Sequence, residues 1–174
     1  MPDRVTIYQE PIEEICAKYD DHYWLKVDNS GEFPNAFVDD IAEGGWLGVA
    51  MPESVGGAGL GLTEAALMMQ TVAQSGAGFS GASAIHLNIF GLMPIVKFGT
   101  PEQQQRFLPP AMNGTDKACF AVTEPNSGLD TASLETRAER TNSGYRINGR
   151  KIWTTNAQRA NKILIIARTM PKDQ

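Results

Sequence analysis

The spacing of apolar residues changes half-way along this chain, and that change constrains the fold more than any other feature. From the start to about Gly114, apolar residues recur at helical spacing. After Lys117 the period becomes two, which is typical of strands. Helices followed by strands indicate separate units. We therefore predict an α+β multi-domain fold, with an N-terminal α-helical bundle over residues 1–115 and an antiparallel β-domain over residues 116–174.

Several helix ends are marked by particular residues. Apolar positions at helical spacing run through "IEEICAKYDDHYWLKV", from Ile12 to Tyr23. The segment "FPNAFVDDIAEGG" predicts a helix that stops at Gly44-Gly45, a typical C-cap signal. A further helix is predicted to follow Thr63 and to end at Gly76.

The segment "TPEQQQRFLPPAMNG" carries the clearest helix start in the chain. Thr100 is the predicted N-cap, Pro101 takes the first helical position and Gln103 completes a capping box. The pair Pro109-Pro110 is expected to kink or end this helix.

The second half of the chain predicts short strands joined by tight turns. Asn142–Gly144 and Asn148–Gly149 supply turns, since Asn-Gly is the preferred two-residue hairpin turn. A sheet of about four strands leaves an open edge, so we expect the β-domain to be truncated. The predicted strands are "KACFAV", "SLETRAER", "YRING", "RKIWTT" and "NKILIIART".

The net charge, the cysteines and the histidines argue against several classes of protein. A net charge of −5 argues against nucleic-acid binding. Cys16 and Cys119 lie in different segments, which favours a reduced, cytoplasmic protein over a disulfide scaffold. His22 and His86 are not spaced like metal ligands, so no metal site is predicted.

The sequence predicts neither an N-terminal signal peptide nor a membrane-spanning helix. The N-terminal "MPDRVTIYQEPIEE" is polar and acidic, unlike a signal peptide. The apolar stretch "ASAIHLNIFGLMPIVKF" contains His86, Asn88, Pro94 and Lys97, and we interpret it as a buried helix instead of a membrane span.

The glycine-rich segment "PESVGGAGLG" does not fit a dinucleotide-binding loop. No predicted strand leads into it, and its glycines do not match the G-x-G-x-x-G spacing. We expect Pro52–Gly61 to be a tight, exposed connection between helices with left-handed glycines.

The segment "TEPNSGLD" combines a strand end, a turn and two acids. The Thr123 hydroxyl is expected to point away from the sheet edge toward a ligand, and Asn126, Ser127 and Gly128 could present consecutive amides as an anion-binding nest. Alternatively, Asp130 merely caps the turn. The motif alone leaves both interpretations open.

The segment "KIWTTNA" places a tryptophan beside two hydroxyls. Trp153 could be an ordinary core residue or could lie against a polar heterocycle. The hydroxyls of Thr154 and Thr155 would point to opposite faces of a strand. Arg137 and Arg146 are expected to be solvated.

Taken together, four segments resemble motifs of the acyl-CoA dehydrogenase family, in the same order and over nearly the whole chain. They are "GWLGVAMPESVGGAGL", "KFGTPEQQQRFLPPAMNG", "AVTEPNSGLD" and "GYRINGRKIWTTNA". The resemblance implies an N-terminal α-domain, a middle β-domain and a C-terminal α-domain, with FAD held between the last two. Residues 116–174 would then be the first part of the middle β-domain, and the C-terminal α-domain is expected to be absent from this chain.

The family pattern assigns cofactor and substrate positions residue by residue. It implies that Trp153 stacks near the flavin and that the Thr155 hydroxyl hydrogen-bonds flavin N5. Substrate contacts are implied for Ser127, for Leu129 and for His86, which falls on the helix that reaches the acyl pocket; a histidine satisfied between helices is the alternative for His86. The implied cofactor-binding residues are Phe120, Val122, Thr123, Gly128, Leu129, Trp153, Thr154 and Thr155.

The chemistry implied by the resemblance is α,β-dehydrogenation of an acyl-CoA thioester, as in fatty-acid β-oxidation. A glutamate base of the C-terminal domain would take the α-proton, so no catalytic residue is expected in this chain and the chain alone is expected to be inactive. Glu124 is not that base. An electron-transferring flavoprotein would accept the electrons, and the protein would form a homodimer or homotetramer.

Three positions depart from the family pattern, and they keep other functions open. Leu129 replaces a usual Ser or Thr that contacts the acyl-CoA, Asn126 replaces a small residue, and Thr154 replaces an apolar one. The alternatives are a non-catalytic partner subunit of a dehydrogenase, and a flavin-dependent oxidase or monooxygenase of the same superfamily.

Overall fold

The computed structural model describes residues 4–170, with side chains from Tyr8 onward. The first three residues of the polar N-terminal segment and the last four residues of the sequence lie outside the described residues. The chain forms two compact units, one up to Lys117 and one from Ala118 onward. Helices make up the first unit and the strands lie in the second, which confirms the predicted fold class.

Within residues 4–117, the first unit contains seven α-helices. A π-helical turn, Ala73–Ala77, links the fourth to the fifth, and Gly76 within it has φ 93°. The helices are α1 (Arg4–Cys16), α2 (Asp21–Ser30), α3 (Asn35–Glu43), α4 (Leu62–Val72), α5 (Gly78–Phe90), α6 (Met93–Phe98) and α7 (Pro101–Met112).

Aromatic side chains form the centre of the first unit's core. Phe37 of α3 is fully buried, and its ring meets those of Tyr19 and Trp24 edge to face, with centroids 5.5 and 5.0 Å away. The Trp24 indole N–H donates to the Tyr19 carbonyl at 3.1 Å, so the buried polar atom is satisfied. As predicted, α3 ends at Gly44-Gly45.

The helical pattern from Ile12 to Tyr23 is divided in the structure. Helix α1 ends at Cys16, and Asp20 starts α2 by accepting a hydrogen bond from the Tyr23 amide at 2.9 Å. In a continuous helix the Tyr23 amide would donate to a backbone carbonyl. Here it donates to the Asp20 side chain instead, which favours a new helix start over a continuous helix. Apolar spacing alone did not reveal this break.

The start of α7 is confirmed, and the helix does not end at its proline pair. Thr100 and Gln103 exchange both capping-box hydrogen bonds, at 2.8 and 3.3 Å. The helix then continues through Pro109 and Pro110 to Met112. Both prolines lie in the last turn, so the helix loses only the two hydrogen bonds that their N–H groups would have donated to the carbonyls of Gln105 and Arg106.

The glycine-rich segment 52–61 is a tight connection, as predicted. Gly56 and Gly59 have φ of 89° and 63°, and a Cβ added at Gly57 would lie 2.3 Å from the Met51 carbonyl oxygen. The Gly59 amide donates to that same Met51 carbonyl at 2.8 Å. Close backbone packing therefore explains these glycines without a bound ligand.

One stretch, Leu62–Phe98, is long and apolar enough to cross a membrane by length and composition. It comprises α4, α5 and α6 and is broken at Gly76. Met68, Ile85 and Ile89 within it are buried in the core of the first unit. These contacts support core helices for α4 and α5. The apolar segment that we interpreted as one buried helix is divided between α5 and α6, and no residue of α6 is fully buried.

The two cysteines are free thiols buried in different units. Cys16 lies at the end of α1 and is 3% exposed, whereas Cys119 lies in the second unit and is 1% exposed. Burial raises the pKa of both thiols, since a thiolate would lose its hydration there. Both are therefore protonated and protected at neutral pH.

Within residues 118–170, the second unit contains four strands in two separate pairs. The hairpin predicted around Asn142–Gly144 is confirmed, because β2 and β3 are antiparallel and are joined at Asn142-Ser143. By contrast, β1 pairs in parallel with β4, so the sheet is not purely antiparallel as predicted. The strands are β1 (Ala118–Ala121), β2 (Arg137–Thr141), β3 (Gly144–Asn148) and β4 (Lys162–Ile165).

The segment "RKIWTT" is not a strand. Trp153 and Asn156 have left-handed φ values of 56° and 62°, which interrupt an extended backbone. Asn148–Gly149 does not form a hairpin turn either. Instead, a Cβ added at Gly149 would lie 2.2 Å from Thr136 Oγ1, so this glycine permits a close approach to Thr136.

Candidate functional site

A buried carboxylate lies just beyond the end of β1. Glu124 is 5% exposed, and its two oxygens accept hydrogen bonds from the Glu135 amide at 2.6 Å and the Thr136 amide at 2.9 Å. These bonds connect the end of β1 to the segment that leads into β2. Amide donors of this kind stabilise an ionised carboxylate.

Lys151 completes an ion pair with this carboxylate. Its Nζ lies 2.9 Å from Glu124 Oε1 and donates a second hydrogen bond to the Val122 carbonyl at 2.7 Å. The two side chains are 11% and 5% exposed, so the pair is largely removed from water. One buried pair therefore connects three segments of the second unit: 122–124, 135–136 and 151.

The environment of Glu124 determines its protonation. Burial alone would raise its pKa, but hydrogen bonds from Thr136, from the Glu135 amide and from Lys151 lower it by more, and the pKa falls to about 2. Glu124 is thus ionised at neutral pH, with its oxygens occupied. This supports a structural role and agrees with our inference that Glu124 is not the catalytic base.

The low pKa of Glu124 predicts a specific loss of stability in acid. A depressed carboxyl pKa contributes stability that is complete above the unfolded-state pKa of 4.5 and is lost as the pH falls toward about 2. At about 1.36 kcal/mol per pKa unit, the contribution is at most about 3 kcal/mol. Urea unfolding between pH 7 and pH 2.5 should show this loss in the native chain and not in Glu124→Gln. Parallel pH curves for the two proteins would contradict the prediction.

The turn after Glu124 is closed by its own hydrogen bonds. Glu124 and Ser127 exchange backbone bonds at 2.8 and 3.2 Å, and the Ser127 hydroxyl donates to the Asp130 carbonyl at 2.6 Å. The predicted nest is therefore wrong at Ser127, whose amide is already paired. Asp130 accepts from the Ala132 amide and the Ser133 hydroxyl, as the capping alternative predicted.

Beyond this closed turn, two predicted cofactor positions are open to solvent. A Cβ added at Gly128 would meet nothing within 4 Å, and Leu129 is fully exposed. Ser127, which we predicted as a substrate contact, is buried beside them. Ser127 is thus shielded, whereas Asn126, Gly128 and Leu129 of this turn are accessible.

The segment after Lys151 lies beside the end of β1. The Ile152 amide donates to the Thr123 carbonyl at 2.9 Å, so the next residue, Trp153, is held close to Thr123. Trp153 is 85% exposed, so the core alternative for this tryptophan is wrong. Thr155 is exposed and Thr154 is half-buried.

The remaining candidates lie at the end of β1, on the β2–β3 hairpin and on α5. Phe120, Val122 and Thr123 are half-buried at the end of β1. Arg137 and Arg146 are exposed, as predicted. His86 lies on α5 in the first unit, where it is half-buried and its Nδ1 lies 3.2 Å from the Ser83 carbonyl of the same helix. That carbonyl can only accept, so Nδ1 donates and Nε2 is left for another partner.

These residues suit a planar heterocycle with an apolar face and polar edges. An exposed indole costs free energy in water, and its burial under a ring would recover that cost. The exposed Thr155 hydroxyl can donate to a ring nitrogen, and the open space at Gly128 allows a ligand to approach the backbone. The residues present therefore fit a flavin.

Sequence reasoning did not identify Lys151 as part of this site. Its partner Glu124 is 27 positions away, and no local pattern joins them. The available signal was the position of this lysine, directly before the apolar residues Ile152 and Trp153 in a predicted strand.

Comparison with known proteins identifies both units. The family model described as "Acyl-CoA dehydrogenase, N-terminal domain" matches residues 4–115, and the one described as "Acyl-CoA dehydrogenase, middle domain" matches residues 119–174. Benzylmalonyl-CoA dehydrogenase of Aromatoleum aromaticum is 34% identical over 94% of this chain and 44% of its own length. A probable acyl-CoA dehydrogenase of Bacillus subtilis, YngJ, is 38% identical over 92% and 42%.

A solved structure shows the same fold. Butyryl-CoA dehydrogenase from Megasphaera elsdenii superposes with a TM-score of 0.85 and 27% identity, over 98% of this chain and 45% of that one. The chain thus spans less than half the length of the relatives it matches. On these matches, the chain belongs to the acyl-CoA dehydrogenase family.

Proposed function

We propose that this chain provides the flavin-side half of an FAD-dependent enzyme that dehydrogenates an acyl-CoA thioester between its α and β carbons. The observation that carries the proposal is Trp153, an exposed indole held in a left-handed conformation next to the end of β1. A bulky residue in that conformation is strained, and such strain is concentrated at functional sites. When bound, FAD would supply the acceptor for the β-hydride, at N5.

Several residues of the second unit would hold the flavin. Trp153 would cover the ring, and Thr123 would meet its pyrimidine edge with Phe120 and Val122 beneath. The Thr155 hydroxyl would donate to N5 and so stabilise the negative charge that develops there. The proposed remaining contacts are Gly128, Leu129 and Thr154.

The substrate is proposed from the relatives, since two of them carry acyl-CoA dehydrogenase names at 34% and 38% identity. In the family the base is a glutamate of the C-terminal domain, to which none of the matched residues belongs. We propose an electron-transferring flavoprotein as the electron acceptor and a homodimer or homotetramer as the assembly. Size-exclusion chromatography with light scattering would test the assembly.

His86 is proposed to influence the choice of acyl chain. Its Nδ1 hydrogen bond to Ser83 leaves Nε2 as an acceptor in the neutral ring. An acceptor at the acyl pocket would favour chains with a polar tail over plain alkyl chains. Equal kcat/KM ratios for both kinds of substrate in the native protein and in His86→Leu would exclude this role.

A second candidate function follows from Leu129. This side chain is fully exposed where the family pattern has a hydroxyl that contacts the acyl-CoA. A subunit that keeps the flavin fold without binding thioester would tolerate that change. Such a subunit would assist a catalytic partner instead of acting on the thioester itself.

One titration distinguishes these functions. The protein is produced from its complete reading frame, and its visible spectrum is followed anaerobically during addition of acyl-CoAs of several lengths. Flavin bands that bleach with one class of thioester support the dehydrogenase. Flavin bands that no thioester bleaches favour the partner subunit or an oxidase, and the absence of flavin contradicts the proposal.

Replacement of Thr155 tests the role of its hydroxyl. Thr155→Val should slow flavin reduction by acyl-CoA about 10- to 100-fold, because a hydrogen bond to a developing charge is worth about 1.5–3 kcal/mol. The Kd for FAD should change less than fivefold. Stopped-flow absorbance measures the rate, and Thr115→Val, in the first unit, is the matched control. An unchanged reduction rate in Thr155→Val would exclude this contact.

A further inference from the structure

The left-handed conformation of Trp153 needs an explanation within the second unit. Left-handed backbone costs a residue with a Cβ about 1–2 kcal/mol, and a tryptophan has no short polar side chain to offset that cost. Its own side chain does not anchor it, since it is 85% exposed. The constraint must therefore come from its neighbours in the chain.

The two residues before Trp153 are both fixed. Lys151 donates to Glu124 and to the Val122 carbonyl at 2.9 and 2.7 Å, and the Ile152 amide donates to the Thr123 carbonyl at 2.9 Å. Strained conformations persist where surrounding contacts over-determine them. Three hydrogen bonds from two consecutive residues provide that constraint.

The constraint extends to a third segment through Glu124. Its carboxylate is held by the amides of Glu135 and Thr136, so the acceptor for Lys151 cannot move independently. The close approach of Gly149 to Thr136 brings the chain that precedes Lys151 to the same place. The Lys151 ammonium group thus donates to a Glu124 carboxylate that other hydrogen bonds already hold in place.

We propose that the buried Glu124–Lys151 pair is a positioning device: it holds Trp153 in its left-handed conformation and sets the spacing between Thr123 and the Trp153–Thr155 segment to which the flavin binds. Lys151 and Glu124 act through these residues and do not touch the cofactor. The flavin part of this inference rests on the proposed function.

The conformational part is tested without a cofactor. In Lys151→Met, the backbone chemical shifts of Ile152–Asn156 should lose the left-handed signature at Trp153. The resonances of Trp24 and Trp46 in the first unit should stay in place and show that this unit remains folded. Lys151→Arg, which keeps a cation, should retain the signature. If Lys151→Met keeps the native shifts at Trp153, the proposal is wrong.

The binding part is measured by titrating apoprotein, produced from the complete reading frame, with FAD. Lys151→Met should bind FAD about 10- to 100-fold more weakly, because binding must restore the strained conformation. Lys151→Arg should recover affinity to within about fivefold. Phe37→Ala, a destabilised variant of the other unit, should bind within threefold of the native protein under conditions where it is folded. An unchanged Kd in Lys151→Met would overturn the proposal.

Two further outcomes are distinguishable. If the second unit of Lys151→Met does not fold, Lys151→Gln, which keeps one donor group and loses the charge, replaces it with the same expected changes and the same criterion for failure. If the native protein binds no FAD, the proposed function fails, and the chemical shifts of Trp153 still decide whether the ion pair controls its conformation.

Discussion

Replacing Glu124 with alanine should lower the free energy of unfolding of the second unit by about 3–5 kcal/mol. The variant leaves the Lys151 ammonium, 11% exposed, without its counter-ion. It also leaves the Glu135 and Thr136 amides without the acceptor that now binds them. Hydrogen exchange of β1 and β4 amides, measured in increasing urea, gives the stability of this unit separately from the first.

Glu139→Ala provides the control for this result. Glu139 lies exposed on β2, and a surface change of this kind is expected to stay within about 0.5 kcal/mol of the native value. A loss below 1 kcal/mol in Glu124→Ala would contradict the prediction, because it would mean that the Lys151 ammonium is not left buried without a counter-ion.

Replacing Phe37 with alanine should cost the first unit about 3–5 kcal/mol. The Phe37 ring is fully buried and packs edge to face against Tyr19 and Trp24, so its removal leaves a cavity lined by rigid rings. Near-ultraviolet circular dichroism during urea unfolding reports this aromatic packing directly.

Phe79 offers the same chemical change without the cavity. It lies on α5 with 86% of its surface exposed, so Phe79→Ala should remain within about 0.5 kcal/mol of the native protein. Comparable losses in the two variants would mean that Phe37 is not a core residue as the structure has it.

The parts of the fold that the sequence predicted are those with local signals. The Thr100 capping box and the Gly44-Gly45 stop lie within a few residues of the helix ends they define. The division between α1 and α2 was missed because Asp20 satisfies the Tyr23 amide, and apolar spacing does not report such competition.

Long-range contacts account for the errors in the second unit. Asn148–Gly149 has the residues of a hairpin turn, but Gly149 is used for its lack of a side chain next to Thr136. Likewise, the "RKIWTT" segment has strand-forming residues, but its conformation follows from the pairing of Lys151 with Glu124. Such partners are distant in sequence and cannot be read from a window of neighbouring residues.

The same distinction applies to the candidate site. Thr123, Trp153 and Thr155 were proposed from short motifs that resemble the family's, and the structure shows that Trp153 is exposed beside Thr123. The buried pair that supports them belongs to no single motif. The family resemblance thus identified the residues proposed to contact the ligand. The structure was needed to identify the Glu124–Lys151 pair that holds them.

The distribution of the two cysteines gives the chain a reporter in each unit. Cys16 lies in the first unit and Cys119 in the second, and both are protonated and shielded in the folded state. A thiol reagent can therefore modify either one only when its own unit opens. Mass spectrometry of the two labelled peptides over time would follow the opening of both units in a single sample, and would show whether they open together or one at a time.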